Sequence, residues 1–248
     1  MSALMENFRV AEDMPLESDL VVSALDKVQT QVEEYMRATR QQVYKLDEVV
    51  AGQRAAVYSQ RRAFLTSTDE GMLETFTRFS LATMDEIYTA SLQPNNKGGK
   101  GVAGGPVLAE KLVSKAKQFF GNIKLTVEEI NNTSPSTIQQ LLQQRLLDAI
   151  AEKQSTLDNW LMSGGGPMSA GSFVAFFRYL AMIQTDESWC RHLSRLDLLK
   201  EEMVLSSFTA ERDVMETYRE RALKLFDTLL DDVRRNTVYS LFVYKGQQ

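Results

Sequence analysis

From Val21 to Phe64, apolar side chains recur at intervals of three and four residues, and Gly52 is the only weak point in the run. Val21, Leu25, Val28, Val32 and Tyr35 form the first stretch; after a small phase slip, Val43, Leu46, Val50 and Val57 lead on to Phe64. Pro15 followed by Glu17, Ser18 and Asp19 supplies a helix start. At ~1.5 Å per residue, one helix here would be about 65 Å long. That exceeds what a small globular domain buries, so the helix is expected to act as a spine against which other elements pack. The alternative is two helices broken near Gly52.

Helix breakers are scarce in the remaining sequence too: five prolines and thirteen glycines occur in 248 residues, with glycine clusters near 98–105 and 163–166. Ser67-Thr68-Asp69 is a capping signal, and Met72 to Leu92 reads as a second helix, antiparallel to the first. Residues 93–106, QPNNKGGKGVAGGP, have the composition of a flexible loop. Helices are expected at about 107–120, from Ser136 to Trp160, and from Ser169 to Ile183, the second with Ile138, Leu141, Leu142, Leu146 and Ile150 on one side. From Asp186 onward, Trp189, Leu193, Leu196 and Leu199 mark another, and Tyr218, Ala222, Leu225, Phe226, Leu229, Val233 and Leu241 mark a long terminal one. These last two should form an antiparallel hairpin whose turn, SSFTAERD, holds Ser, Thr and Asp as caps. No strand with alternating pattern is found. The fold class expected is all-α: a long helical scaffold with antiparallel hairpins and an inserted helical subdomain.

Charge and motif content exclude several functions. The formal charge of −5 is spread as mixed signs, without the basic stripe that neutralises a phosphate backbone, so nucleic acid is not an expected partner. One cysteine, Cys190, rules out an internal disulfide, and one histidine, His192, leaves no Cys/His cluster for zinc. The pair also lies two residues apart on a helix, on different faces, which is wrong for a nucleophile and its base. The apolar stretch from Phe173 to Ile183 is broken by Arg178 and falls short of the ~20 residues that span a bilayer. The acidic N-terminus lacks the apolar core of a signal peptide. NNKGGKGV fails the spacing of a phosphate-binding loop and follows no strand. Asp47 with Glu48, and Asp231 with Asp232, sit among basic neighbours as solvated faces do, and Arg61-Arg62 and Arg234-Arg235 read as salt-bridge partners in preference to anion sites. No active site, cofactor or metal is expected, and any ATPase activity would need a separate partner chain.

The strings DEVVAGQRAAVYSQRRAFL (Asp47 to Leu65), WCRHLSRLD (Trp189 to Asp197) and METYRERALKLFDTLLDDVRRNTVYSLF (Met215 to Phe242) resemble SecA, the preprotein-translocation ATPase family. Asp47, Val49, Gln53, Arg54 and the offset Tyr58, followed by Arg61 and Arg62, are similar to the pattern of the family's scaffold helix. Trp189, His192, Leu193 and Asp197 match its Trp-x-x-His-Leu-x-x-x-Asp signature, and Glu216 with Tyr218 resembles the start of its last long helix. LAEKLVSKAKQFF looks most like the wing of plastid and cyanobacterial members. The resemblance covers nearly the whole chain except the Gly-rich loop.

The resemblance implies a discontinuous scaffold with a two-helix finger at 20–92 and 186–244, a short N-terminal segment at 1–19, the loop at 93–106, and a helical wing at 107–185. It implies that the nucleotide-binding folds would lie upstream of Met1, and that Leu205, Phe208 and Arg212 at the finger tip would contact a polypeptide or partner. Departures are visible. The family's Leu-Arg-Gly-Tyr tip is Leu205-Ser206-Ser207-Phe208 here, Ala51 stands where an asparagine is usual, and Leu46 where a tyrosine is. Two roles are expected from this: a non-catalytic scaffold and finger subunit of protein translocation, partnered by a SecA ATPase half or a SecY-type channel, or a SecA-derived structural subunit of another large membrane complex with no transport role. The suspected place is the plastid stroma or thylakoid surface, or otherwise the cytoplasmic face of a membrane, with peripheral membrane association allowed.

Overall fold

The computed structural model describes residues 19–92, 107–162, 172–206 and 214–244. They form seven helices: α1 Asp19–Thr66, α2 Asp69–Ala90, α3 Ala109–Phe119, α4 Val127–Asn132, α5 Pro135–Met162, α6 Phe173–Ser206 and α7 Val214–Val243. Among the described residues the only extended pairing is an isolated antiparallel bridge between Leu92 and Val107. The all-α expectation holds. The chain divides into two compact units, residues 1–50 and 51–248.

α1 is one helix of 48 residues, continuous through Gly52. The chain tolerates the weak helix former there because a single glycine costs only ~1 kcal/mol against alanine, less than the packing of a long amphipathic face returns. Within the 51–248 unit, Val57 and Phe64 are buried. Within the 1–50 unit, Val22, Leu25, Val28, Val32, Tyr35, Met36 and Val43 are exposed.

The larger core is built around Phe76 of α2, which has no exposed surface. Its ring meets Phe173 and Phe177 of α6 edge-on, with centroids 5.2 and 5.1 Å away, and stacks on Phe242 of α7 at 5.9 Å. Phe120, at the end of α3, meets the same Phe242 ring at 5.0 Å. Aromatic side chains bring the largest apolar area per ordered residue, which suits them to a point where several helices converge. The expected α1–α2 hairpin is limited to its corner, where Phe64 meets Phe79 at 6.4 Å, while α2 packs mainly against α5, α6 and α7.

Two boundaries differ from expectation. The sequence reading ends one helix at Ile183 and starts another at Asp186, whereas α6 runs unbroken from Phe173 to Ser206. Nothing between Ile183 and Asp186 breaks a helix, and Thr185 is buried with its hydroxyl donating to the Ala181 carbonyl at 2.7 Å. The short α4 went unexpected although Thr126 and Glu129 form a full capping box, each side chain bonding the other's backbone N–H. The apolar stretch at the start of α6 packs inward: Phe173, Phe176, Phe177 and Ala181 are all buried.

Arg178 explains why a charge can sit in that stretch. Its guanidinium donates to the carbonyls of Phe64 at 2.6 Å, Leu65 at 3.2 Å and Ser67 at 3.0 Å, and pairs with Asp69 at 3.1 Å. It therefore satisfies carbonyls that the C-terminus of α1 leaves open, and its charge complements that end of the helix dipole. Lys153 of α5 does the same for α7, donating to Phe242 and Tyr244 carbonyls at 3.0 and 2.7 Å, and Lys111 does so for α2 at the Ala90 carbonyl. Three helix ends are thus capped by cations from distant elements.

α6 and α7 run antiparallel, since Phe176 lies by Tyr244, Arg195 by Asp232 and Glu202 by Arg221. This hairpin is the most extensively packed pair among the described helices.

Candidate functional site

Where α1 meets the α6–α7 hairpin, one polar contact is buried among apolar side chains. Gln53 donates its amide N–H to the Ala222 carbonyl of α7 at 3.0 Å, and its amide oxygen lies 2.8 Å from His192 Nε2 of α6. With the amide nitrogen committed to a carbonyl, the oxygen must accept, so His192 carries its proton on Nε2. One glutamine joins three helices. A buried amide that finds both partners fixes their register, because sliding any helix by a residue would leave polar groups unpaired in an apolar setting.

Apolar and aromatic groups surround this contact. Trp189 lies 5.6 Å from the imidazole, Phe226 meets it edge-on at 5.9 Å, and Val57, Trp189, Leu229 and Val233 form a buried cluster beside it. Burial first, and the Arg195 charge second, hold His192 below the usual histidine pKa, so it is neutral at physiological pH. Its Nδ1 is buried and accepts no hydrogen bond. Tyr218, fully buried on α7, belongs to the same hairpin.

About two turns further along α1, Arg61 grips Asp186 with two bonds, 2.9 Å from Nε and 3.3 Å from Nη2. Both partners are partly exposed, so the pair adds orientation more than stability. Tyr58, Arg61, Arg62 and Leu65 of α1 and Asp186, Trp189 and Cys190 of α6 line an open cleft of about 480 Å³. A second, about 450 Å³, lies along the hairpin with Leu198, Leu199 and Leu225 flanked by Arg195, Lys224 and the Arg221–Glu202 ion pair.

The structure thus brings together Gln53, Tyr58, Arg61, Trp189 and His192. Arg54 and Asp197 are exposed and stand outside the junction, and Asp47 is exposed in the 1–50 unit. Leu205 falls in the last turn of α6, while Phe208 and Arg212 lie outside the described residues. Of the arginine pairs, Arg61 is committed to Asp186, and Arg234 and Arg235 to Glu86 and Asp231. The sequence reading missed Asp186 and Ala222 as partners. An arginine about two helical turns from a buried glutamine, and so on the same face of α1, was the available signal for the first; nothing in a residue's identity marks its carbonyl for the second.

Among the described residues no group of three or more His, Cys, Asp or Glu side chains could hold a metal, and no helix is long and apolar enough to cross a membrane. The arrangement holds helices in register and offers clefts lined by apolar groups and by ion pairs, Arg61 with Asp186 in one and Arg221 with Glu202 in the other. Chemically, it is suited to contact with another protein.

The family described as the SecA Wing and Scaffold domain matches residues 15–245. The protein translocase subunit SecA of Microcystis aeruginosa is 30% identical over 248 residues, covering 100% of this chain and 25% of the relative. Those of Synechocystis sp. and Trichodesmium erythraeum are 30% and 31% identical with the same coverage. The chain spans about a quarter of the length of these curated relatives.

Proposed function

The chain belongs to the SecA wing and scaffold family, and we propose that it is a non-catalytic scaffold and finger subunit associated with protein translocation, acting through contacts with other proteins. The family membership itself links it to translocation. The observation that carries the finer reading is the Gln53 bridge from α1 to His192 and Ala222. It joins residues of two family signatures, so the joint between scaffold helix and finger hairpin is kept in a chain that matches the wing and scaffold region.

A joint that fixes the register of α1 against the α6–α7 hairpin would also pass a displacement of α1 on to the hairpin. The proposed mover is a SecA-type ATPase module bound along α1, with a SecY-type channel as the further partner. Arg54 and Arg62 support this contact: both are exposed on α1, next to the exposed Tyr58 and Leu65, and pair with no acid among the described residues. Leu205, Phe208 and Arg212 are proposed as the contact with the moving polypeptide or with a partner. Family membership also supports the division into scaffold, finger and wing at the boundaries given above. The proposed site of action is a membrane surface, the stromal face of a thylakoid or the cytoplasmic face of another membrane, reached by peripheral association.

Native affinity purification of the tagged protein from its own membranes, followed by mass spectrometry of stoichiometric partners, tests this reading. A SecA motor half or SecY-type channel is the expected result. A stable complex with no Sec component would overturn it in favour of a scaffold that serves another assembly.

A further inference from the structure

His192 is the only histidine of the chain, and its ring sits in the joint with no provision for a second proton. Nε2 already donates to the Gln53 amide oxygen at 2.8 Å, so an added proton must go to Nδ1. That nitrogen is buried and has no hydrogen-bond partner among the described residues. Ser188, one turn earlier on the same face of α6, is buried too, and its Oγ bonds to nothing and so does not reach the ring. The charges around the site do not help. From α6, Arg195 opposes a cation on the imidazole; from α7, Asp232 pairs with that arginine at 3.8 Å. α1 faces the ring with Gln53 and α7 with Phe226, neither of which ionises.

The seam that holds His192 is thin. α6 and α7 pack on each other along their length, whereas α1 reaches them through few side chains: Gln53, Val57 and the partly exposed Arg61–Asp186 pair. Beyond these, Phe64 and the Arg178 hydrogen bonds fasten the C-terminal end of α1 at the corner. A penalty placed at His192 is therefore relieved most readily by lifting the Gln53 end of α1, which lets water reach the ring and leaves the hairpin in place.

We propose that the joint is an acid-sensitive coupling: protonation of His192 frees the α1 segment around Gln53 and Val57 from the α6–α7 hairpin, while the corner at Phe64 and the hairpin itself stay packed. Above about pH 6.5, where an exposed histidine titrates, the joint is closed and holds α1 in register with the hairpin. As pH falls below that value, the open form takes up the proton first, because burial and Arg195 keep the closed form below the usual histidine pKa. The coupling is then lost. This device lies within the chain and does not depend on which protein binds α1, so either it or the translocation reading can fail without the other.

Hydrogen exchange of the full chain, read as protection factors corrected for the intrinsic pH dependence of exchange, tests it at about pH 7.5 and about pH 5.5, one unit either side of an exposed histidine's pKa. Protection at 51–58 should fall by up to about tenfold, the limit set by an open-state pKa of about 6.5. Protection at 60–66 and along α6 and α7 should hold within about twofold. His192→Gln keeps an N–H for the Gln53 oxygen and does not titrate, so it should abolish the fall. Arg195→Gln, at an exposed position, leaves the Gln53 bond intact and removes the opposing charge, so the fall should become smaller. This second variant decides the matter even if the first does not fold. Unchanged protection at 51–58 in the wild type overturns the proposal. So does a fall of equal size in Arg195→Gln or in a folded His192→Gln, or a fall shared equally by α1 and the hairpin, which would be acid unfolding of the whole unit.

Discussion

The two ends of α1 carry the same pattern and meet different surroundings. From Val22 to Val43 its apolar side chains are exposed, and at Val57 and Phe64 they are buried against aromatic and aliphatic partners. Periodicity therefore tells which face of a helix will be covered, and not by what. At Val57 and Phe64 the chain supplies its own cover; at Val22 to Val43 the side chains are exposed among the described residues.

The sharpest test of that contrast is to remove apolar bulk from each region. Phe76→Ala empties a fully buried site on α2 touched by rings from α6 and α7 and should cost ~3–5 kcal/mol, read as a lower midpoint in urea unfolding. Tyr35→Ala, at 70% exposure, should stay within ~0.5 kcal/mol. Equal losses at the two positions would mean that the N-terminal face is covered within the folded chain.

Arg178→Met comes next. It keeps the buried stem but strips the carbonyls of Phe64, Leu65 and Ser67 of their donor, with an expected loss of ~2 kcal/mol. The loss should appear first as fraying at the C-terminus of α1, seen as faster amide exchange there.

A smaller effect comes from pH. His192 has its pKa lowered in the folded state by burial, so the unfolded chain takes up its proton more readily. The stability it contributes is fully present above its unfolded pKa of about 6.5 and is lost as pH falls through that value toward the lower folded pKa. Urea midpoints should decline through this window in the wild type, and His192→Gln should remove that part of the decline.

Gly52→Ala should give the smallest change and the opposite sign. A Cβ at Gly52 meets nothing within 4 Å, and the substitution should stabilise α1 by about 0.5–1 kcal/mol. Measured helicity would rise only slightly, because α1 is already continuous through this residue.

Much of this architecture was legible in the sequence because it depends on local pattern. The all-α class and the α6–α7 hairpin follow from spacing alone, and the residues of the family signatures led directly to Gln53, Arg61, Trp189 and His192. The parts that were not legible rest on non-local partners. Arg178 looks like a break in an apolar run until the carbonyls at the end of α1 are placed beside it. Lys153 reads as one more surface charge until it caps α7. The unbroken α6 was misread because Asp186 resembles a helix start, whereas its carboxylate is held by Arg61 from another helix. In contrast, α4 carries its whole signal between Thr126 and Glu129 and could have been found.

The central claim is that this chain serves a translocation motor by binding it, and titration calorimetry of the purified chain with a separately purified SecA ATPase half tests it most directly. The account predicts a saturable one-to-one complex that is weakened when Arg54 and Arg62 are both changed to Glu. Absence of binding at concentrations on the order of 100 μM, with both proteins folded, would contradict it.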